Sequence, residues 1–274
     1  MKKKRIVKYK NIIFLTFLIV CFLVLTISIY NIIKWKIDSN KTDDQIIKIK
    51  DKVIIEEVID DIDTKIIEQV EVVPKFSPYW DYIKMNIINV DFTDLKKTNN
   101  QTKGWLQVNG TNINYPFVQA KDNKYYLTRS FDKSHNNAGW VFSDYRNKLD
   151  GTDKNTIIYA HGRNDNIMFG SLKNILKSGW LDNSNNFVVK LSTEYENTLW
   201  QVFSVYSIPT TSDYIQTEFA RDNDYREFLN MLLKRSSYNF NTSVYESDNI
   251  LTLSTCYNEK EKVVLHAKLI KKSN

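Results

Sequence analysis

The chain has 274 residues, of which 42% are hydrophobic, enough for one ordinary domain with a packed core plus appended segments. Its net charge of +6 comes from the N-terminus, because residues 1–36 carry eight of the 38 basic residues and no acidic one. The remainder holds 30 basic and 32 acidic residues and is nearly neutral. The composition therefore argues against a nucleic-acid partner, which would require clustered positive charge on the folded domain.

An uncharged apolar segment at residues 12–33 follows the basic residues 1–11. As a helix it would be about 33 Å long at about 1.5 Å per residue, sufficient to cross a bilayer. A cleaved signal peptide is the alternative, but this run exceeds the usual length of about 7–15 residues and no small-residue cleavage site follows it. Because the short basic segment precedes the span, we expect a single-pass protein of the cell membrane. Its N-terminus would be cytoplasmic and its domain extracellular.

Residues 34–78 form a charged, isoleucine-rich segment that we interpret as a stalk or linker. Its apolar residues fall near helical spacing, at Ile47, Ile54, Val58, Ile62, Ile66 and Val70. An amphipathic helix here would either serve as a solvated spacer or dock on the domain. Pro74 and Pro78 end any such helix, so the domain is predicted to span residues 79–274.

Many short strands and two helical segments are predicted in this domain. The strands are predicted at residues 105–108, 113–118, 139–142, 156–160, 186–191, 199–209, 249–254 and 262–270. Helical segments are predicted around residues 79–95 and at 222–235. The second has one apolar face, acidic residues near its start and basic residues at its end. This pattern indicates a mainly β protein, a barrel with helical insertions.

The two cysteines differ in their surroundings. Cys21 lies inside the apolar span, so it cannot form an intrachain disulfide with Cys256 in the domain. Cys256 follows an alternating strand and precedes a polar turn, which favours an exposed thiol over a buried structural cysteine. An unpaired thiol at the end of a strand is a candidate nucleophile.

A thiol nucleophile needs a basic or cationic neighbour, because only the thiolate attacks and a free thiol has a pKa near about 8.5. Of the three histidines, His161 directly follows a predicted strand and would also lie at a strand end. His266 lies within the last predicted strand, which indicates packing or a surface position, and His135 lies in a polar loop. His161 is therefore the preferred partner of Cys256.

Five segments form an ordered set along the domain: residues 104–116, 122–127, 138–147, 155–161 and 252–256. Together they resemble the sortase family, class B in particular, over about residues 80–270. The helix at 222–235 lies where class B enzymes carry a long helix before the cysteine strand. The resemblance implies a closed eight-stranded sortase-type β-barrel behind an N-terminal transmembrane helix, with no cofactor and no metal.

The resemblance also implies a cysteine transpeptidase. Such an enzyme cleaves the C-terminal sorting signal of secreted proteins through a thioester and transfers the acyl group to a peptidoglycan-precursor amine. Cys256 matches the nucleophile and His161 the catalytic histidine. Lys262 occupies the position of the family's third catalytic residue, an arginine, although a lysine lacks the planar fork of a guanidinium group. Arg163 and Arg146 are the alternative cations by their proximity to the matching segments.

Five further residues match the substrate groove of class B sortases: Asn123, Leu127, Tyr159, Ser254 and Tyr257. Core packing is the alternative for Leu127 and Tyr159, and a local hydrogen bond is the alternative for Ser254. Two other functions fit the same residues. One is a plain cysteine peptidase that transfers the acyl group to water, and the other is a tethered binding module weakened by the lysine at position 262.

Overall fold

The structure, a computed structural model, describes residues 2–58, 64–67, 77–256 and 261–273. The chain divides into two units, Met1–Gln45 and Ile46–Asn274. Helix α1 (Lys2–Lys50) forms the first unit, and its last residues belong to the second. Its segment Tyr9–Lys50 contains a window that is long and apolar enough to cross a membrane, with none of that window buried. The predicted span at residues 12–33 lies inside this helix.

The second unit contains short helices and many strands. Its described strands are β1 (Ile55–Val58), β2 (Thr64–Ile66), β3 (Ile87–Val90), β4 (Thr102–Val108), β5 (Asn114–Val118), β6 (Phe142–Ser143), β7 (Asn155–His161), β8 (Val188–Thr193), β9 (Asn197–Pro209), β10 (Ile250–Cys256) and β11 (Glu261–Ser273). Its α-helices are α2 (Tyr79–Tyr82), α3 (Thr93–Thr98), α4 (Ser178–Leu181) and α5 (Asp222–Arg235). Three 3₁₀ turns cover Tyr125–Leu127, Gly170–Leu176 and Ser184–Asn186.

Eight of the described strands close into a barrel. Their order is β10-β7-β6-β5-β4-β8-β9-β11, and β11 pairs back with β10. The pairs β10–β7 and β5–β6 are parallel and the other pairs in the barrel are antiparallel. Closure leaves no unpaired edge in the ring. The predicted eight-stranded barrel is confirmed.

The two faces of β10 and β11 bury different cores, because successive side chains along a strand point to opposite faces. Leu251 and Leu253 of β10 and Leu265 of β11 belong to the main core of the barrel. Ile250 and Val264, on the opposite face, belong to a second cluster with residues of α5. The outer face of these strands is therefore covered by a helix.

Helix α5 has the bounds that its sequence pattern predicts, Asp222–Arg235. Its buried residues are Tyr225, Phe228, Leu229 and Leu232, which recur at helical spacing. Acidic side chains in its first turn and basic side chains in its last turn complement the helix dipole. The helix prediction is confirmed.

The N-terminal part of the second unit differs from the prediction. β1 pairs with β3, β2 pairs with the far end of β11, and Ile49 is buried in the core. The compact unit thus begins at Ile46 rather than at residue 79. Within the predicted linker, the end of α1 docks on the core through Ile49, and residues 55–58 and 64–66 dock as strands. The predicted helix around residues 79–95 is likewise interrupted by β3, whose partner strand lies in the predicted linker.

Candidate active site

The ends of three adjacent strands bring the three predicted catalytic residues to one level of the barrel. β10 runs parallel to β7 with Cys256 paired to His161, and antiparallel to β11 with Cys256 paired to Lys262. Paired strands lie about 4.8 Å apart. Residues far apart in sequence are therefore neighbours along one line across the sheet, with Cys256 in the middle.

The orientation of His161 is fixed by a main-chain hydrogen bond. Its Nε2 lies 2.8 Å from the carbonyl oxygen of Leu127. Because a carbonyl only accepts, Nε2 carries a hydrogen and donates it. Nδ1 is then the ring nitrogen that gains or loses a proton during a reaction.

Gly139 makes this arrangement possible by allowing close approach. It has a φ of 64°, and a Cβ atom there would lie 2.8 Å from Cδ2 of His161 and 2.7 Å from the carbonyl oxygen of Tyr126. Both distances are well below a normal van der Waals contact. The imidazole of His161 therefore packs against a backbone position that only glycine fills without displacement.

The surroundings of His161 favour its neutral form. Burial lowers the pKa of His161 below its ordinary value, and the positive charges of Arg163 and Lys262 lower it further. The hydrogen bond to the Leu127 carbonyl acts in the opposite direction without offsetting these effects. An imidazolium at this position is consequently a stronger acid than a solvated one.

A groove of about 500 Å³ opens beside these strand ends. It is lined by residues of β6, β7, β10 and β11, of the segment before β6 and of residues 210–215: Asn123, Leu127, Phe142, Tyr159, Ala160, Thr210, Thr211, Ser212, Tyr214, Ile215, Ser254, Thr255 and Lys262. Six of these thirteen residues are apolar or aromatic and seven carry polar side chains, so the groove combines apolar contact surface with hydrogen-bonding groups, as ligand sites do. Residues 210–215 connect β9 toward α5 and are called the groove loop below.

Four of the five predicted substrate-contacting residues lie along this groove. They are Asn123, Leu127, Tyr159 and Ser254, and the fifth, Tyr257, lies outside the described residues. Leu127 and Tyr159 also pack against the core, so these two residues both line the groove and contribute to core packing. The hydroxyl of Ser254 lies 2.9 Å from the hydroxyl of Tyr214, a contact between distant segments rather than a local one.

Asp144 is a buried residue of the site that the sequence analysis did not single out. Its side chain is fully buried, and it accepts hydrogen bonds from Arg146 (Nε to Oδ1, 2.8 Å), from the Tyr159 hydroxyl (2.9 Å) and from the Asn123 amide (2.9 Å). Burial alone would raise the pKa of Asp144, but these hydrogen bonds outweigh it and lower the pKa. Asp144 therefore remains a carboxylate that positions two groove residues.

The two alternative arginines are both held by carboxylates. Arg146 is bound to Asp144, and Nε of Arg163 lies 3.1 Å from Asp165. Lys262 lies at the position on β11 that pairs with Cys256. The strand register thus sets Lys262, rather than either arginine, directly across from Cys256.

The remaining histidines lie away from these strand ends. His266 is fully buried beneath α5 and lies 2.8 Å from the Tyr206 hydroxyl and 2.9 Å from the Thr252 hydroxyl, in agreement with the expected packing position. His135 is exposed in a loop. Across the described residues, no group of three or more His, Cys, Asp or Glu side chains is arranged to hold a metal ion.

Comparisons with known proteins agree with this geometry. Residues 106–270 match the family model of the sortase domain. Sortase B of Staphylococcus aureus is 37% identical over 190 residues, covering 68% of this chain and 77% of that protein. Sortase B of Listeria monocytogenes is 38% identical, covering 66% and 75% respectively.

Solved structures give the same result. The Staphylococcus aureus sortase B–substrate complex superposes with a TM-score of 0.62 at 38% identity, covering 66% of this chain and 84% of that one. The segment that matches the family model contains the three strand ends and all residues that line the groove. The chain therefore belongs to the sortase family, the cysteine transpeptidases that anchor proteins to the cell wall.

Proposed function

We propose that Cys256 is the nucleophile of this transpeptidase, His161 its general acid and base, and Lys262 its cationic donor. The observation that carries the proposal is the pairing of Cys256 with His161 on one side and with Lys262 on the other. The groove beside these strand ends supports binding of an extended peptide. In the comparison structure from Staphylococcus aureus, a sortase B is bound to its substrate.

In the proposed acylation step, the thiolate of Cys256 attacks a carbonyl carbon of the sorting signal. The imidazolium of His161 then donates its Nδ1 proton to the departing amine, which leaves a thioester and a neutral imidazole. The lowered pKa of His161 favours this donation, although it also reduces the fraction of molecules that carry the proton beforehand. Acylation needs both the thiolate, whose fraction rises with pH, and the imidazolium, whose fraction falls with pH, so catalysis should have a pH optimum.

In the second step, an amine of a peptidoglycan precursor attacks the thioester. Neutral His161 accepts the amine proton, the carbon–sulfur bond breaks, and thiolate and imidazolium are restored. Proton and electron pair return to their starting places, so the cycle needs no cofactor. Transfer to water in place of the amine would give the peptidase alternative.

Lys262 is proposed to stabilise the oxyanion that forms in both steps. Its position across from Cys256 in the strand register and its place in the groove lining support this role. A single oxyanion donor is typically worth about 3 kcal/mol. An ammonium group supplies this charge as a compact point donor, without the bidentate geometry of an arginine.

The proposal extends to location. The basic residues before the apolar part of α1 favour a cytoplasmic N-terminus, so the second unit would face the cell exterior, where sorting signals and cell-wall amines are found. Protease added to intact protoplasts should then digest the second unit. Full protection of this unit would contradict the topology.

Mass spectrometry of the full chain in detergent micelles tests the function. The protein is incubated with a panel of sorting pentapeptides, with and without triglycine, and both protein and products are weighed. An acyl adduct on Cys256 and a triglycine-linked product are expected for wild type, and neither for Cys256→Ala. Hydrolysis product alone would indicate a peptidase, and peptide binding without any adduct would indicate the binding module.

A further inference from the structure

The groove loop is held by side chains at three consecutive residues. The carboxylate of Asp213 is bound by Arg235 of α5 (Nη1 to Oδ1, 2.9 Å). The next hydroxyl, that of Tyr214, lies 2.9 Å from Ser254 on β10. The carbonyl oxygen of the third residue, Ile215, accepts a hydrogen bond of 2.9 Å from Nη2 of Arg146.

The bond from Arg146 differs from the other two because it belongs to a network that also contacts other residues lining the groove. Nη2 of Arg146 also donates to Oδ2 of Asp144 at 2.7 Å, while Nε donates to Oδ1 at 2.8 Å. The same Asp144 carboxylate binds the Tyr159 hydroxyl and the Asn123 amide, which line the groove from β7 and from the segment before β6. One ion pair therefore connects the groove loop with two other lining segments.

We infer that Asp144 and Arg146 are positioning residues that set the width of the substrate groove and thereby the affinity for the sorting peptide. The inference deepens the proposed function, since it assumes that the groove binds this peptide. Each described contact of the pair with the groove reaches a wall residue: Asn123, Tyr159 or Ile215. Neither His161 nor Lys262 is among these contacts.

The chemistry of the pair explains why an arginine is needed. The Asp144 side chain is fully buried, and a buried carboxylate requires a partner of opposite charge with well-formed hydrogen bonds. A guanidinium group offers several N–H donors in one plane, so it can bind the carboxylate with two and the Ile215 carbonyl at the same time. An ammonium group on a flexible stem neutralises the carboxylate without reproducing this geometry.

Arg146→Lys is accordingly the sharpest variant, because it keeps the charge opposite Asp144 and loses the bond to Ile215. We expect KM for the pentapeptide that wild type cleaves fastest to rise about tenfold, the scale of one charge-assisted hydrogen bond. We expect kcat to change less than about twofold, since no transition-state contact is removed. Arg221→Lys is the matched control, because its ion pair with Asp224 is exposed and lies away from the groove.

A purely structural role for Arg146 would give a different result. Loss of folded protein lowers the active fraction, and therefore kcat, without raising KM. The reaction of Cys256 with a small methanethiosulfonate reagent gives a second readout, and we expect its rate to be unchanged in Arg146→Lys. An unchanged KM, or a fall in kcat alone, overturns the inference.

Should Arg146→Lys prove unfolded by circular dichroism, the double variant Asp144→Asn with Arg146→Gln replaces it. This variant removes both charges together and leaves no unpaired charge in the interior. The same rise in KM is expected, and wild-type KM in the folded double variant overturns the inference. Absence of turnover by wild type would instead refute the proposed function, so the two failures are distinguishable.

Discussion

Replacing Gly139 by alanine adds a single methyl group next to the proposed general acid and base. Gly139 has a φ of 64°, and its added Cβ would lie 2.8 Å from Cδ2 of His161, 2.7 Å from the Tyr126 carbonyl oxygen and 3.0 Å from that of Leu127. Two of these three atoms are backbone, so they yield less readily than the ring. The imidazole ring of His161 is therefore expected to move.

The magnitude has two parts. A non-glycine residue in the left-handed region costs about 1–2 kcal/mol, and an extra methyl group in a packed site costs about 1–3 kcal/mol. Gly139→Ala should therefore lower the free energy of unfolding by about 2–5 kcal/mol. Displacement of the ring also lengthens the hydrogen bond to Leu127, and a shift of about 1 Å in a catalytic group costs about 10²-fold in rate.

Chemical denaturation and the rate of thioester formation measure the two effects separately. Gly179→Ala is the matched control, because Gly179 lies in α4 and an added Cβ would meet nothing within 4 Å. It should leave the acylation rate unchanged and the stability equal or slightly higher. Wild-type stability together with a wild-type acylation rate in Gly139→Ala would refute the packing argument.

Further predictions concern the charges and the thiol. Lys262→Gln should slow acylation by about 10²–10³-fold and raise the pKa of His161, because one of the two cations that lower this pKa is removed. An unchanged imidazole titration by NMR would place Lys262 outside the site. Burial lowers the pKa of His266 from 6.5 to about 3. Between these two pKa values the unfolded state binds a proton at His266 that the folded state does not bind. The free energy of unfolding should therefore fall as the pH drops below 6.5, by up to about 1.4 kcal/mol per pH unit from this group. Urea melts between pH 4 and 7 test this, and His266→Gln should flatten the profile; an unaltered slope in that variant would assign the acid sensitivity to other groups. Cys256→Ala should abolish the acyl adduct while changing the stability by less than about 1 kcal/mol, and an adduct that persists would reassign the nucleophile.

The sequence alone predicts most of the barrel, because its strands carry local signals. Alternating apolar residues identify β10 and β11, and the amphipathic pattern with charged ends identifies α5. The placement of His161 and Cys256 at strand ends also follows from local pattern. That these two residues are neighbours does not follow from local pattern, because the register between two distant strands cannot be read from either strand alone.

The parts of the fold and of the site that the sequence does not predict depend on contacts between distant segments. β1 and β3 are recognisable only as a pair, because each is short and its partner lies on the other side of a predicted boundary. Asp144 lies within a segment that matches the family, but nothing in its neighbourhood in sequence reveals that it binds both Asn123 and Tyr159. The groove loop carries no periodic pattern, so its role as a wall emerges only from the fold.

The pairing of β10 with β11 closes the ring of strands, and it is also where Cys256 meets Lys262. The partner on the other side, His161, comes from β7, far away in sequence. Contacts of such long sequence separation form late and slowly, because the chain entropy of closing the intervening loops opposes them. A partly folded chain with an open ring would therefore lack the neighbours that turn its thiol into a nucleophile. In the proposed mechanism, catalytic competence thus depends on ring closure, so a chain that has not completed its fold would not form the thioester.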